Sequence, residues 1–264
     1  MNAKSLVLAL ALLLPGLPTW ADRFASDWAP SLKSHARLIA DGAGQAGFQV
    51  ELAPGAITYW RDPGDAGVPP TFDFSGSVNL ASAEIDFPAP KRIAEPDGSE
   101  AFGYENDVVF PIRVKAADPS KPVTLSLEAN YAVCEKICLP ARASLRLELT
   151  KGETPYAAGI AAARAKVPVE KDADALGIEV TAQPGRNWRL CLPSESGAPR
   201  DLFVEPPAGW WLTAKGEDGP AGRDCFALAL RQAPKDAAFP AKVRATITGG
   251  AGAVGTELRL APKA

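Results

Sequence analysis

Four cysteines are the residues of this 264-residue sequence best suited to chemistry, and they fall into two unlike pairs. Cys134-Glu135-Lys136-Ile137-Cys138 places two thiols with three residues between them, after a strand-like run at 125–133 and before a stronger one at 145–149. If the chain turns as a hairpin there, the two Cα atoms face each other ~4.5–5.5 Å apart, within reach of a disulfide. So small a ring removes little entropy from the unfolded chain. It stabilises by clearly less than the ~3 kcal/mol expected of a loop of about 15 residues. A weak staple at an exposed tip suits exchange with another protein's thiols. Lys136 favours the thiolate and Glu135 opposes it. A local hairpin clip accounts for the same spacing, and spacing alone leaves both readings open.

Cys191 and Cys225 lie within two strand-like runs, Trp188-Arg189-Leu190-Cys191-Leu192 and Cys225-Phe226-Ala227-Leu228, with thirty-three residues between them. A disulfide closing that loop contributes ~3–4 kcal/mol. We read it as structural; a second redox pair and two free buried thiols are the other readings. A single zinc site built from all four thiols is disfavoured, because the pairs fall in different halves of the chain and neither has zinc-ribbon spacing. The chain has one histidine, His35, and one methionine, Met1. A histidine-based metal site or triad is thereby nearly excluded, and a methionine-rich copper site is excluded outright once Met1 is removed. A cysteine pair holding Cu(I) stays open as a chemistry, weakened by the same counts.

The elements that must position these cysteines are short and alternate at period two. Phe48-Gln49-Val50-Glu51-Leu52, residues 109–114, Val123-Thr124-Leu125-Ser126-Leu127 and Leu145-Arg146-Leu147-Glu148-Leu149 each present one apolar face. Gly, Pro, Asn and Asp separate them, and no helices intervene, which predicts an antiparallel sandwich. Residues 27–40 read as a lead-in. One helix is expected over 154–166, with Thr154 as N-cap, Pro155 at the first helical position, Lys166 at the negative end and Pro168 as the stop. Alternation then resumes at 178–181, 188–192, 226–230, 243–247 and 258–260. The expected organisation is a targeting segment at 1–21, a β-sandwich at 22–150, a helical linker at 151–174 and a second, smaller β-sandwich at 175–264.

The leader carries Lys4, an apolar run over 5–14, breakers at Pro15, Gly16 and Pro18, and small residues before position 22. This is the pattern of a cleaved export signal, too short to span a bilayer. Export implies an oxidising compartment, where thiols pair. The net charge of -3 shows no basic excess, so nucleic acid is not an expected partner.

A further set of motifs occurs in order: Tyr59-Trp60-Arg61-Asp62-Pro63-Gly64-Asp65-Ala66-Gly67-Val68-Pro69-Pro70, then Phe87-Pro88-Ala89-Pro90-Lys91-Arg92-Ile93, then Phe102-Gly103-Tyr104-Glu105, then Cys134-x-x-x-Cys138-Leu139-Pro140. Over roughly residues 40–150 this resembles the N-terminal periplasmic region of the DsbD-type thiol:disulfide reductases, on the side of the suppressor-of-copper-sensitivity branch, ScsB. Residues 175–264 resemble the second β-domain of that region. The resemblance implies an immunoglobulin-like sandwich with Cys134 and Cys138 as the redox-active pair, Cys138 attacking and Cys134 resolving. It implies protein-disulfide reductase chemistry without a cofactor, electrons passed to a periplasmic thioredoxin-fold protein, and roles of the kind seen in cytochrome c biogenesis or copper tolerance. The sequence contains no transmembrane helix or thioredoxin-like domain, so a stand-alone version fed by a separate membrane donor is expected.

Read from the residues alone, Asp62-Pro63-Gly64-Asp65-Ala66-Gly67 is a turn, and as function it is a loop covering the cysteines. Tyr59, Trp60, Phe102 and Tyr104 are ordinarily core or rim aromatics. Their functional reading is a shield over the pair. Trp210-Trp211, after Pro206-Pro207, is either packed on the sandwich or an exposed partner patch. The competing function is a non-enzymatic exported binding module whose disulfides are both structural.

Overall fold

The computed structural model describes residues 22–65, 67–95 and 98–263, so the expected targeting segment at 1–21 lies outside the described residues. In chain order the first strands are β1 (Ala29–Ser31), β2 (Ser34–Ala40), β3 (Ala46–Leu52), β4 (Ile57–Gly64), β5 (Thr71–Asp73) and β6 (Leu80–Ile85). They continue with β7 (Lys91–Ala94), β8 (Glu100–Tyr104), β9 (Val108–Ala116), β10 (Thr124–Cys134) and β11 (Cys138–Glu148). One sheet runs β1-β2-β3-β9-β6, and the facing sheet runs β11-β10-β4-β8-β7 with β5 also on β10. Every pairing within them is antiparallel. The two sheets form an immunoglobulin-like sandwich.

Alternation builds its core. In β11, Ala141, Ala143, Leu145 and Leu147 point inward while Arg142, Ser144, Arg146 and Glu148 point to solvent. Phe48, Phe87 and Tyr104 pack around Phe110 at centroid distances of 5.3–6.1 Å. The residues read as a lead-in are in fact β1 and β2. β2 is paired along its length with β3 and buries Ala36, Leu38 and Ala40.

The helix is α1 (Ala157–Arg164), shorter than the expected 154–166 and starting three residues later. Its N-cap position is Tyr156, which makes no side-chain capping bond. Thr154 Oγ1 instead accepts the N–H of Tyr156 at 3.3 Å and donates to the carbonyl of Ala40 at 3.3 Å, so it ties the preceding turn to β2. Ile160 and Ala163 bury the inner face of the helix on the β3–β9 side. A Cβ at Gly47 would stand 3.3 Å from Ile160 Cγ1, and its absence lets the helix lie close. The helix is therefore docked on the first sandwich.

The remaining strands are β12 (Val169–Glu170), β13 (Glu179–Gln183), β14 (Asn187–Pro193), β15 (Ala198–Glu205), β16 (Trp211–Glu217), β17 (Arg223–Gln232), β18 (Ala241–Gly250) and β19 (Val254–Leu260). They form two four-stranded sheets, β12-β19-β18-β15 and β13-β14-β17-β16. A separate core of Trp188, Leu190, Leu202, Leu228, Val243 and Leu260 lies between them.

The two sandwiches share a packed and partly ionic junction. Phe203 of β15 inserts into the first core, edge-on to Trp60 at 6.0 Å and to Phe102 at 4.9 Å. Arg92 bonds Glu100 at 2.6 Å, Asp201 at 2.9 Å and the Leu202 carbonyl at 2.9 Å. Lys171, Asp172, Asp174 and Ala175 of the connecting segment are exposed. Limited trypsin digestion is expected to cut first after Lys171 and leave two protected β-rich fragments, read by mass and circular dichroism. A chain degraded with no protected fragment would contradict two separately cored units.

Candidate functional site

The β10–β11 hairpin places Cys134 and Cys138 directly opposite each other, and they are joined as a disulfide with Cα atoms 4.1 Å apart. The two sulfurs sit in different surroundings. Cys134 ends a central strand paired on its other side with β4 and is only 5% exposed, whereas Cys138 opens β11 and is exposed. Cys138 is therefore the cysteine more open to solvent.

Strand alternation decides which aromatics reach the pair. In β4, Tyr59 points to the outer face of its sheet, where it clusters with Ala101, Ala132 and Cys134. Trp60, the next residue, points the other way into the main core. The Tyr59 hydroxyl lies 2.7 Å from Cys134 Sγ and 3.2 Å from Cys138 Sγ. A disulfide sulfur carries no proton, so the hydroxyl is the donor to both. The loop after β4 covers the ring. A Cβ on Gly67 would stand 2.6 Å from Tyr59 Cδ1 and 2.3 Å from Pro63 Cβ, so only a glycine fits its backbone against the ring.

Of the four aromatics expected to shield the pair, the structure brings Tyr59 to it. Trp60 meets Phe203 edge-on in the first core. Phe102 also packs on Phe203, at the junction of the sandwiches. Tyr104 is buried beside Phe110 and donates to the Pro88 carbonyl at 2.8 Å. These three are corrected to core and junction residues, because each sits on the inner side of its strand. The Phe87-Pro88-Ala89-Pro90 motif is likewise structural: Phe87 fills the core and the N–H of Ala89 bonds the Lys166 carbonyl beyond α1. Trp210 packs on Phe239 at 5.2 Å, while Trp211 is half exposed and donates to Asp65 in the cover loop.

Residues the sequence did not single out complete the rim. Lys33, in the β1–β2 turn, holds Glu135 at 2.8 Å and so tethers the hairpin tip. Leu32, next to Lys33, is 74% exposed, and Ile137, between the cysteines, is 69% exposed. Val68 of the cover loop is also exposed. Isolated apolar residues on a surface are ordinary, but here they stand on the β1–β2 turn, the hairpin tip and the cover loop.

Burial, and after it the charge of Glu95, hold the Tyr59 hydroxyl above the ordinary tyrosine range. It therefore stays protonated and able to donate throughout neutral pH. A folded pKa raised above the unfolded one means that this group's stabilising share is fully present below about pH 10 and is lost as pH rises through the folded value. Tyr59→Phe is expected to remove that share. The fall of stability above about pH 10, measured by urea titration at stepped pH, should become shallower than in the unsubstituted chain. An unchanged slope would show that Tyr59 does not titrate on unfolding.

The second disulfide joins Cys191 in β14 to Cys225 in β17, directly opposed residues on neighbouring strands with Cα atoms 4.2 Å apart. Trp188, Leu190 and Leu192 face the second core, so Cys191, which alternates with them, faces outward. Arg223 donates to the Cys191 carbonyl at 2.9 Å.

No curated protein matches the chain. The chain shares its fold with a crystal structure of the N-terminal periplasmic domain of ScsB from Proteus mirabilis: the TM-score is 0.74 at 21% identity, over 92% of this chain and all of that one. The family model of the N-terminal part of thiol:disulfide interchange protein DsbD matches residues 29–150, the whole of the sandwich that carries the β10–β11 hairpin. That sandwich, residues 29–150, is thus the part of the chain that is similar to the DsbD N-terminal family.

Proposed function

We propose that the Cys134–Cys138 pair is a thiol:disulfide exchange centre that passes two electrons to a thioredoxin-fold protein in the periplasm. The observation that carries this reading is the asymmetry of the pair: one sulfur open to a partner, the other buried under a hydroxyl that touches both. In the reduced protein the Cys138 thiolate attacks one sulfur of the partner's disulfide. The partner's other sulfur leaves as a thiolate and takes a proton, and a mixed disulfide forms. The Cys134 thiolate then attacks Cys138 Sγ, the mixed disulfide breaks, and the partner departs as a dithiol. The Cys134–Cys138 bond closes, so two electrons have moved and the atoms balance. Tyr59 donates its proton as a hydrogen bond to sulfur at each stage, most strongly when Cys134 carries negative charge.

Leu32, Val68 and Ile137 support a protein as the partner, since an apolar rim around an exposed cysteine suits a macromolecular surface. The family to which residues 29–150 are similar and the periplasmic source of the ScsB domain support the compartment. The test mixes the reduced chain with an oxidised periplasmic thioredoxin-fold protein and follows the thiols of each by alkylation and mass. Transfer in the unsubstituted chain and none in a Cys134→Ala/Cys138→Ala double variant is the expected result. A double variant that still reduces the partner would leave an exported binding module as the function.

A further inference from the structure

We infer that the second sandwich acts as a latch on the redox pair of the first, through its β15–β16 connection. The inference rests on the exchange reading for its purpose, while its geometry stands apart from that reading. Glu205, at the end of β15, receives the Arg61 guanidinium in two bonds of 2.7 and 2.8 Å. Trp211, the first residue of β16, donates its indole N–H to Asp65 Oδ1 at 2.8 Å. The two contacts grip the same short stretch of the first sandwich, where β4 ends and the cover loop begins. Asp62 tightens that stretch by accepting the N–H of Gly64 at 3.2 Å. Two residues beyond Asp65, Gly67 lies on the Tyr59 ring, and the Tyr59 hydroxyl lies on both sulfurs.

The contacts thus run from Glu205 and Trp211 to residues 61–65, and, two residues beyond Asp65, from Gly67 through Tyr59 to the disulfide, although neither Glu205 nor Trp211 touches a sulfur. The far end of the loop is fixed independently, because Thr71 of β5 is in register with Asn130 of β10. At the near end the Asp65 N–H donates to the Glu100 carbonyl of β8 at 2.9 Å, while the Asp65 side chain is held from the second sandwich. A cleft of about 380 Å³ opens between the sandwiches there, lined among others by Asp62, Asp65, Phe102 and Trp211. Trp211 leaves 49% of its surface exposed, so its position is not explained by burial of the ring. What it does contribute is the hydrogen bond to the loop. Glu205 and Trp211 are positioning residues: they keep the loop on Tyr59, and Tyr59 keeps Cys134 covered.

The test reads the cover directly and needs no partner protein. The full chain is reduced with a dithiol and labelled with iodoacetamide, and tryptic cleavage after Lys136 separates Cys134 from Cys138 for counting by mass. Trp211→Phe removes the donor and keeps an aromatic ring; Asp65→Ala removes the acceptor. Both are expected to label Cys134 about fivefold faster than the unsubstituted chain, the population shift that loss of one hydrogen bond allows. Cys138, already exposed, should label at an unchanged rate. Asp65→Asn retains an Oδ1 acceptor and should keep the slow rate. The latch is overturned if Trp211→Phe and Asp65→Ala label Cys134 at the original rate, or if Asp65→Asn is as fast as Asp65→Ala. It is also overturned if all four cysteines speed up together, which marks general loosening. Failure here leaves partner reduction untouched, and failure of partner reduction leaves these labelling rates untouched.

Discussion

Cys134→Ala is expected to accumulate a covalent complex with an oxidised thioredoxin-fold partner, whereas Cys138→Ala forms none. The buried position of Cys134 gives it the second step, the attack that breaks the mixed disulfide. Without it, Cys138 still attacks and the intermediate has no intramolecular exit. Turnover should fall by about two or more orders of magnitude in either variant, since each removes a covalent step altogether. Non-reducing electrophoresis separates the two, because only one variant carries a band at the summed mass. The reverse pattern, trapping by Cys138→Ala, would exchange the two roles and would mean that the cover over Cys134 opens before attack.

Replacing Cys191 and Cys225 together should act on stability and spare transfer. The bond closes a loop across a sequence separation of 34, worth about 3–4 kcal/mol in unfolded-state entropy. For a unit of about 90 residues that is a fall of about 20 °C in the melting temperature of the second sandwich. Denaturant unfolding should show the loss in the transition of the second sandwich, with electron transfer intact in the folded fraction. Mild reductant should open Cys134–Cys138 first, since its ring spans a separation of 4 and its outer sulfur is exposed. Transfer abolished along with the second disulfide, in protein that still folds, would instead make Cys191 and Cys225 part of the relay.

Much of the site follows from local pattern. The three-residue spacing between two cysteines, set between alternating runs, was enough to place a hairpin and pair its ends, because register in a hairpin is a local property. The long alternating runs, the class of fold and the second disulfide strands were legible for the same reason. β2 was harder to see: Ser34 and Arg37 dilute the apolar pattern, and the strand shows itself only by pairing with β3. The helix start was misplaced because Thr154 caps a turn and bonds across to β2, a choice that local preference does not contain.

The aromatic motif shows where sequence reasoning stopped. Tyr59 and Trp60 are neighbours in a strand, so alternation already forbids both from facing one sulfur pair. Which of them does so depends on which face of β4 meets the opposite sheet, and that is settled only when the sandwich closes. Both faces of this strand are then buried, one by the core and the other by the cover loop, which hides the period-two signal at Thr58, Tyr59 and Trp60. The grip of Glu205 and Trp211 on residues 61–65 joins positions about 145 apart in the chain, a separation at which no local rule applies. The residues therefore determined by themselves the pairing of Cys134 with Cys138, the hairpin that presents it and the all-β class, each of which rests on local pattern. Only the tertiary structure decided which hydroxyl touches the sulfurs, which sulfur is open, and that the second sandwich holds the loop above them, because each depends on surfaces brought together by folding.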